Sequence, residues 1–169
     1  MPPPPTPHIR PFLPADVDAV VALSLRAWAP VFASFEHVLG RVVYRRLYPD
    51  WRRQQAEAVR EVLSGDRARC WVAESDGRPV GFVAVVLTRE SDGPESDCGE
   101  IEMIAVDPAD QRRGVGAALL DRGIEHIREA GRSLAVIGAG GDPGHAPARH
   151  AYERAGFRPL PQVRYYRTI

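Results

Sequence analysis

The chain has 169 residues, the length of one domain, and its 44% hydrophobic and 26% charged residues are typical of a globular protein. Its 22 basic and 22 acidic side chains cancel, so the net charge gives no electrostatic reason to expect nucleic acid or an anionic membrane as a partner.

The N-terminal stretch MPPPPTPH has neither the basic nor the apolar region of a signal peptide. We predict a disordered proline-rich tail over residues 1–7 and a single domain over 8–169. No apolar stretch approaches the ~18–20 residues that span a bilayer. Cys70 and Cys98 fit no metal-ligand spacing and are too few for a disulfide framework, so we expect reduced thiols in a cytoplasmic protein and no metal.

The first half of the chain predicts one strand followed by helices. HIRPFL at 8–13 is a short strand, and Asp16 can cap a helix whose apolar residues recur on one face. Residues 30–49 predict a second, shorter helix. A third is expected over 51–64, ended by Gly65.

The pattern then becomes strand-like. Residues 69–75 and 78–88 predict a hairpin around Asp76-Gly77, a typical two-residue turn. An acidic loop at 90–100 leads to a strand at 101–106. The remaining predictions are a helix at 114–130 closed by Gly131, a strand at 133–139, a helix at 146–155 ended by Gly156, and one or two strands within 157–168. The order predicts an α/β protein with helices packed on a mixed sheet.

The segment DQRRGVGAALL (110–120) places charge and glycines where a helix begins. A helix start carries unpaired N–H groups and a partial positive charge, which suits an anion. Gly114 and Gly116 would let the backbone approach a phosphate, and Arg112 and Arg113 would add charged donors. The segment therefore predicts a pyrophosphate site. The alternative is a tight strand–helix turn with solvated arginines.

Two motifs carry a resemblance to the GCN5-related N-acetyltransferase (GNAT) superfamily. QRRGVG (111–116), after a strand, resembles its acetyl-CoA motif [QR]xxGx[GA], and ARHAYERAGF (148–157) resembles its next helix. The resemblance implies the GNAT fold, a mixed, largely antiparallel, splayed sheet of about six or seven strands with about four to five helices. It implies direct transfer of an acetyl group from acetyl-CoA to a primary amine in a ternary complex.

The resemblance also implies which residues bind the co-substrate. In the family, the strand before the glycine motif splays from its neighbour and pairs its backbone with the pantetheine arm, and the glycine motif holds the pyrophosphate. The corresponding residues are Ile104, Ala105 and Val106 for the strand, and Arg112, Arg113, Gly114, Val115, Gly116 and Ala117 for the motif.

For catalysis, Tyr152 matches the family's usual general acid, although a tyrosine on this helical face could also belong to the core. Glu102 is the candidate base, because glutamate in this strand is a frequent base in the family and its side chain alternates with Ile101 and Met103. Glu100 points to the same face, and a water chain is the competing route.

The chain departs from the family at His145, where an asparagine commonly contacts the cofactor. His145 could donate the same hydrogen bond, act as a base, or be an exposed loop residue. The glycine-rich loop around it could close over the substrate, which makes Asp142 a possible contact for the amine.

The acceptor site of this fold lies near the first helices, the loop at 89–99 and the C-terminal strands. Candidate walls are Trp28, Phe32, Phe35, His37 and Tyr165, each of which could instead be a core residue. The acidic loop (Glu90, Asp92, Glu95, Asp97) could attract a cationic amine, although such loops are usually just solvated.

We therefore expect a small-molecule amine as acceptor, with no nucleic acid or membrane partner. Dimers are common for this fold, so a homodimer stays open. Two alternatives remain. One is a non-catalytic acyl-CoA-binding sensor or interaction module, and the other is an acetyltransferase acting on a protein N-terminus or an aminoacyl-tRNA.

Overall fold

A computed structural model describes residues 7–88 and 96–169. The predicted tail, apart from residue 7, and Glu90, Asp92 and Glu95 of the acidic loop lie outside the described residues. The helices and strands are β1 (His8–Pro11), α1 (Val17–Leu47), α2 (Trp51–Ser64), β2 (Ala68–Ser75), β3 (Arg78–Leu87), β4 (Cys98–Val106), α3 (Val115–Glu129), β5 (Leu134–Ile137) and α4 (Ala146–Arg154). Short 3-10 turns at Pro14–Asp16, Pro108–Asp110 and Pro143–His145 precede α1, α3 and α4.

The described residues form one five-stranded sheet in the order β1-β2-β3-β4-β5. The first four strands are antiparallel, and β5 is parallel to β4. The prediction of about six or seven strands is therefore wrong for the described part of the chain. The difference lies in 157–168, which forms no strand and is exposed from residue 158 onward. A strand needs a neighbour to complete its hydrogen bonds, and a favourable residue pattern alone does not supply one.

The helices follow the predicted pattern with two corrections. Asp16 precedes α1, but its side chain makes no cap hydrogen bond to that helix and binds Arg10 and the Leu13 amide instead. The two helices expected before residue 50 are assigned as one helix, α1, with a kink at Gly40, whose φ of 74° is left-handed. The third predicted helix coincides with α2. The predicted hairpin is present, and Asp76 and Gly77 both have the positive φ angles that a tight two-residue turn requires.

The helices cover both faces of the sheet and divide the core into two clusters. On one face α1 and α2 pack on the sheet through Val20, Val21, Leu23, Val59, Leu63, Cys70, Val72, Phe82, Ala84 and Ala105. On the other face α3 packs through Trp71, Ala73, Val80, Val83, Val85, Ile101, Val115, Leu119, Leu120 and Ile127. We call these faces the α1 face and the α3 face.

One helical segment bears on the membrane prediction. Residues 14–39 are long and apolar enough, by length and composition, to cross a bilayer, with a mean hydropathy of 1.3. This corrects the expectation that no segment reaches that length. In the fold the segment is the core helix of the α1 face, with Val20, Leu23 and Ser24 wholly buried, and such helices meet the same criterion.

A network of ion pairs ties β1 to β2 and to the start of α1. The Arg10 guanidinium donates to both Asp16 carboxylate oxygens, at 2.8 and 2.9 Å, and to Glu74 Oε2 at 2.6 Å. Asp16 also accepts from the Leu13 amide at 2.8 Å. The hydrogen bonds from Arg10 are the main reason that the pKa of Asp16 is lowered.

We expect Asp16→Asn to lower the free energy of unfolding by about 2 kcal/mol at neutral pH, because it removes one charge from a largely buried pair. A lowered folded-state pKa contributes stability that is complete above the unfolded-state value of about 3.9 and is lost as pH falls through the folded value. Urea unfolding should therefore show a gap between wild type and variant that narrows as the pH falls below about 3.9. A gap independent of pH would contradict the ion-pair explanation.

Candidate active site

The second half of β4 has one open backbone edge. β5 pairs only with Cys98–Ile101, whereas β3 accompanies β4 as far as Val106. The register against β3 shifts here, since Met103 lies opposite Ala84 and Ile101 opposite Val85. Glu102 is thus the extra residue of a β-bulge, and a bulge bends and twists its strand. From Glu102 onward, β4 has no strand partner on the β5 side among the described residues.

The three residues predicted to contact the pantetheine arm lie on this open edge. Ile104 and Val106 turn their side chains toward the α3 face, and Ala105 is buried on the α1 face. Their side chains therefore belong to the core, and what the edge offers a ligand is backbone N–H and C=O groups. An extended amide-containing chain can pair with such an edge as a neighbouring strand would.

The segment after β4 presents a row of backbone amides. Gly114 is the N-cap of α3 with a φ of 81°, and Arg112 also has a positive φ, 60°. Within the described part of the chain, no amide of residues 114–117 donates a backbone hydrogen bond. The amide of Ala118 is the first to do so, at 3.0 Å from the Gly114 carbonyl. These amides and the start of a 15-residue helix form a site suited to an anion.

The two arginines of the motif are placed differently. The Arg112 side chain is exposed and has no ion pair among the described residues. Arg113 pairs with the buried Asp110 at 3.3 Å, and Arg78 of β3 donates to the same carboxylate at 3.0 Å. Arg113 thus supports the loop.

Asp107 and Asp110 stabilise the loop between β4 and α3, and the sequence analysis did not single them out for this role. Asp107 caps the turn by accepting from the Ala109 amide at 3.2 Å and binds Arg26 of α1 at 2.5 Å. The hydrogen bond from Arg26 is the main reason that the pKa of Asp107 is lowered. The signal was present in the spacing of DPAD (107–110), which is typical of an Asx-capped turn.

Tyr152 lies on α4 and packs against the α3-face cluster, with its ring 6.3 Å from that of Phe157. Burial raises the pKa of Tyr152 to about 12. The hydroxyl therefore keeps its proton at neutral pH, as a proton donor must. No hydrogen-bond partner of that hydroxyl is found among the described residues.

Glu102 lies at the bulge, and its side chain is 29% exposed. The carboxylate is 4.0 Å from Arg67, and its charge contributes to raising the pKa of the Cys70 thiol, which burial raises most. Cys70 belongs to the α1 face, as does Met103. Ile101 and Met103 lie on opposite faces of the sheet, so the strict alternation predicted for Glu102 is interrupted at the bulge.

His145 and Asp142 form a fixed pair at the turn before α4. His145 Nδ1 lies 2.5 Å from Asp142 Oδ1, and its ring lies 5.6 Å from that of Phe35 on α1. Asp142 also accepts from the Gly144 amide at 3.0 Å. Burial raises the pKa of Asp142, but hydrogen bonds from Ser34 and His145 outweigh it and lower the pKa. The pair holds the glycine-rich loop against α1.

A cleft of about 510 Å³ opens beside this loop. Its lining residues are Phe35, Val38, Leu39, Tyr48, Ala139, Gly140, Gly141, Asp142, Gln162, Val163, Arg164 and Tyr166. One wall begins at Ala139, two residues beyond Ile137, the partner of Ile101 in the sheet. That wall therefore follows the C-terminal end of β5.

The residues predicted to contact the acceptor fall into three groups: those that line the cleft, those in the core and those exposed elsewhere. Phe35 and Asp142 line the cleft. Trp28 packs edge-on against Phe82 in the core, with ring centroids 6.3 Å apart, and Phe32 is only 8% exposed. The remaining candidates, His37 and Tyr165, are exposed and do not line the cleft.

Comparison with known proteins shows which family the chain resembles. Residues 34–157 match the model of the acetyltransferase (GNAT) family. An uncharacterised N-acetyltransferase of Methanocaldococcus jannaschii is 33% identical over 96 residues, which are 57% of this chain and 42% of that protein. The mycothiol acetyltransferase of Cellulomonas flavigena is 34% identical over 96 residues, 54% of this chain and 27% of that one. The chain thus matches less than half the length of either relative.

The fold also matches solved structures. The aminoglycoside N-acetyltransferase AAC(6')-Iy, solved with a bisubstrate analogue of CoA and acetylneamine, superposes with a TM-score of 0.66 at 19% identity, covering 98% of this chain and 99% of that one. At this identity the similarity concerns the fold alone.

Proposed function

The chain belongs to the GNAT family of acetyltransferases, and we propose that it transfers the acetyl group of acetyl-CoA to the primary amine of a small molecule. The observation that carries the proposal is the open edge of β4 next to the row of backbone amides at 112–117. Acetyl-CoA has a long amide-containing arm joined to a pyrophosphate. The open edge is complementary to the arm, and the amides are complementary to the pyrophosphate.

In this proposal the backbone of Ile104, Ala105 and Val106 binds the pantetheine arm, and the amides of 112–117 bind the pyrophosphate. The bound thioester supplies an activated acyl group. Glu102 takes the proton from the acceptor ammonium, so that the amine lone pair can form the new C–N bond. The Tyr152 hydroxyl gives its proton to the sulfur as the C–S bond breaks, and the tyrosinate takes back the second proton of the nitrogen as the amide forms.

His145 has a different role in this proposal from those considered first. Because its Nδ1 is hydrogen-bonded to Asp142 and its ring packs against Phe35, we assign it to positioning the loop that borders the cleft. A cytoplasmic location and a homodimer stay predictions.

The function is tested by calorimetric titration with acetyl-CoA and by thiol release against a panel of primary amines. We expect binding and release with one class of small amine. Binding without release from small amines, a peptide N-terminus or an aminoacyl-tRNA would favour the sensor. Release with only one of the last two would favour an acetyltransferase of macromolecules. Failure to bind acetyl-CoA would overturn the proposal.

Gly116 offers a separate test of the pyrophosphate site. A Cβ built at this position meets only Val106 Cγ2 at 3.8 Å, an ordinary contact, so the protein itself has room for a side chain. We expect Gly116→Val to weaken acetyl-CoA binding about tenfold or more, because a branched side chain would stand where the phosphate must approach the amides. Calorimetry measures the affinity, and thermal unfolding checks that the fold is retained.

Gly116→Ala is the matched control, since the motif accepts alanine here, and its affinity should stay within about threefold of wild type. Wild-type affinity in the valine variant would contradict a phosphate at this position.

A further inference from the structure

The cleft beside the glycine-rich loop has the size and the walls of a small-molecule site. Its volume of about 510 Å³ falls within the range of about 300–1,000 Å³ common for ligand pockets. Phe35, Val38 and Leu39 supply an apolar wall from α1. An acceptor that fills it therefore has an apolar body.

Among the residues that the structure describes, two charged side chains line this cleft, and one of them is already satisfied. The Asp142 carboxylate is engaged by His145, by the Gly144 amide at 3.0 Å and by Ser34. Arg149 lies beneath the same loop and donates to the carbonyls of Gly140 at 2.5 Å and of Asp142 at 2.8 Å. The carboxylate thus has little capacity left to attract a cationic ligand.

The second charge belongs to Arg164, which has no carboxylate partner among the described residues. Tyr48, at the end of α1, and Tyr166 line the same cleft. One guanidinium and two hydroxyl groups therefore line this cleft, the donor set that recognises a carboxylate.

We propose that the acceptor is a small apolar amine that carries a carboxylate, bound by Arg164 with Tyr48 and Tyr166, as in an apolar amino acid. The proposal rests on the proposed function and names the substrate class of the same site. It differs from the first expectation of a cationic amine attracted by the acidic loop. It also disfavours a polycation such as neamine, because the one charge at the cleft without an ion-pair partner, among the described residues, is positive.

The test measures equilibrium binding and so does not depend on turnover. L-Leucine and L-phenylalanine, the amide of each, and neamine are titrated calorimetrically into the full chain, with and without CoA. We expect at least one acid to bind about tenfold or more tightly than its amide, since charge-assisted hydrogen bonds from a guanidinium to a carboxylate are stronger than those to a neutral amide. Arg164→Gln should remove this preference.

Arg167→Gln is the matched control, because Arg167 lies on the same exposed segment but does not line the cleft. It should keep the preference for the acid. Equal affinities of acid and amide, no binding of any of the four, or tighter binding of neamine would each overturn the proposal. Acetyl-CoA binding and thiol release with other amines are measured separately, so this inference can fail while the acetyltransferase function stands.

Discussion

Replacing Tyr152 with phenylalanine is expected to lower kcat about a hundredfold or more while the KM for acetyl-CoA changes little, because general acid catalysis contributes about 10²–10⁴. The substitution removes only the hydroxyl. The ring and its packing against Phe157 on the α3 face remain, so the fold should be retained. Since burial raises the pKa of Tyr152 to about 12, the hydroxyl is protonated near neutral pH and can supply a proton to the sulfur.

The measurement is steady-state thiol release, with thermal unfolding as a check on the fold. Tyr165→Phe is the matched control, because Tyr165 is 89% exposed and does not line the cleft. It should behave as wild type. A Tyr152→Phe variant with undiminished kcat would rule out Tyr152 as the acid and leave it a core tyrosine.

Replacing Glu102 with glutamine is expected to have an effect of similar size. We expect kcat to fall about a hundredfold at neutral pH, since glutamine cannot accept a proton from the acceptor ammonium. Acetyl-CoA affinity should be unchanged, because the backbone of β4 binds the co-substrate in our proposal.

Glu100 is the matched control for this experiment. It is exposed on the same strand, but it lies where β5 still pairs with β4, opposite Val136, whereas Glu102 lies at the bulge where the two strands part. Glu100→Gln should therefore retain nearly full activity. If both variants remain active, a water chain is the route of proton removal. If only Glu100→Gln loses activity, the assignment of the base is reversed.

Much of the fold was predictable because its elements follow local rules. Helix α2 begins at a capping aspartate, Asp50, and ends before Gly65, and both signals can be read from residue type alone. The Asp76-Gly77 turn likewise depends on the positive φ that these two residues tolerate. The start of α3 at the glycine motif, and the family that it indicates, come from the same kind of local signal.

The errors arose where local pattern was insufficient. The apolar and aromatic residues of 157–168 favour a strand, but no neighbouring strand pairs with them in the described fold. Before residue 50, the break in α1 falls at Gly40, whereas Pro30, the first residue of the predicted second helix, lies inside α1. Tolerance of a proline within a helix depends on tertiary packing.

The candidate site shows the same division. By itself, the sequence determined which backbone stretch can bind a pyrophosphate and which side chains can exchange protons, since these properties belong to the residue types and their spacing. The bulge at Glu102, the parting of β4 from β5 and the cleft at Arg164 were decided only by the tertiary structure. Each of the three depends on the register or proximity of segments far apart in the chain, and none of them can be read from the spacing of apolar residues within one element.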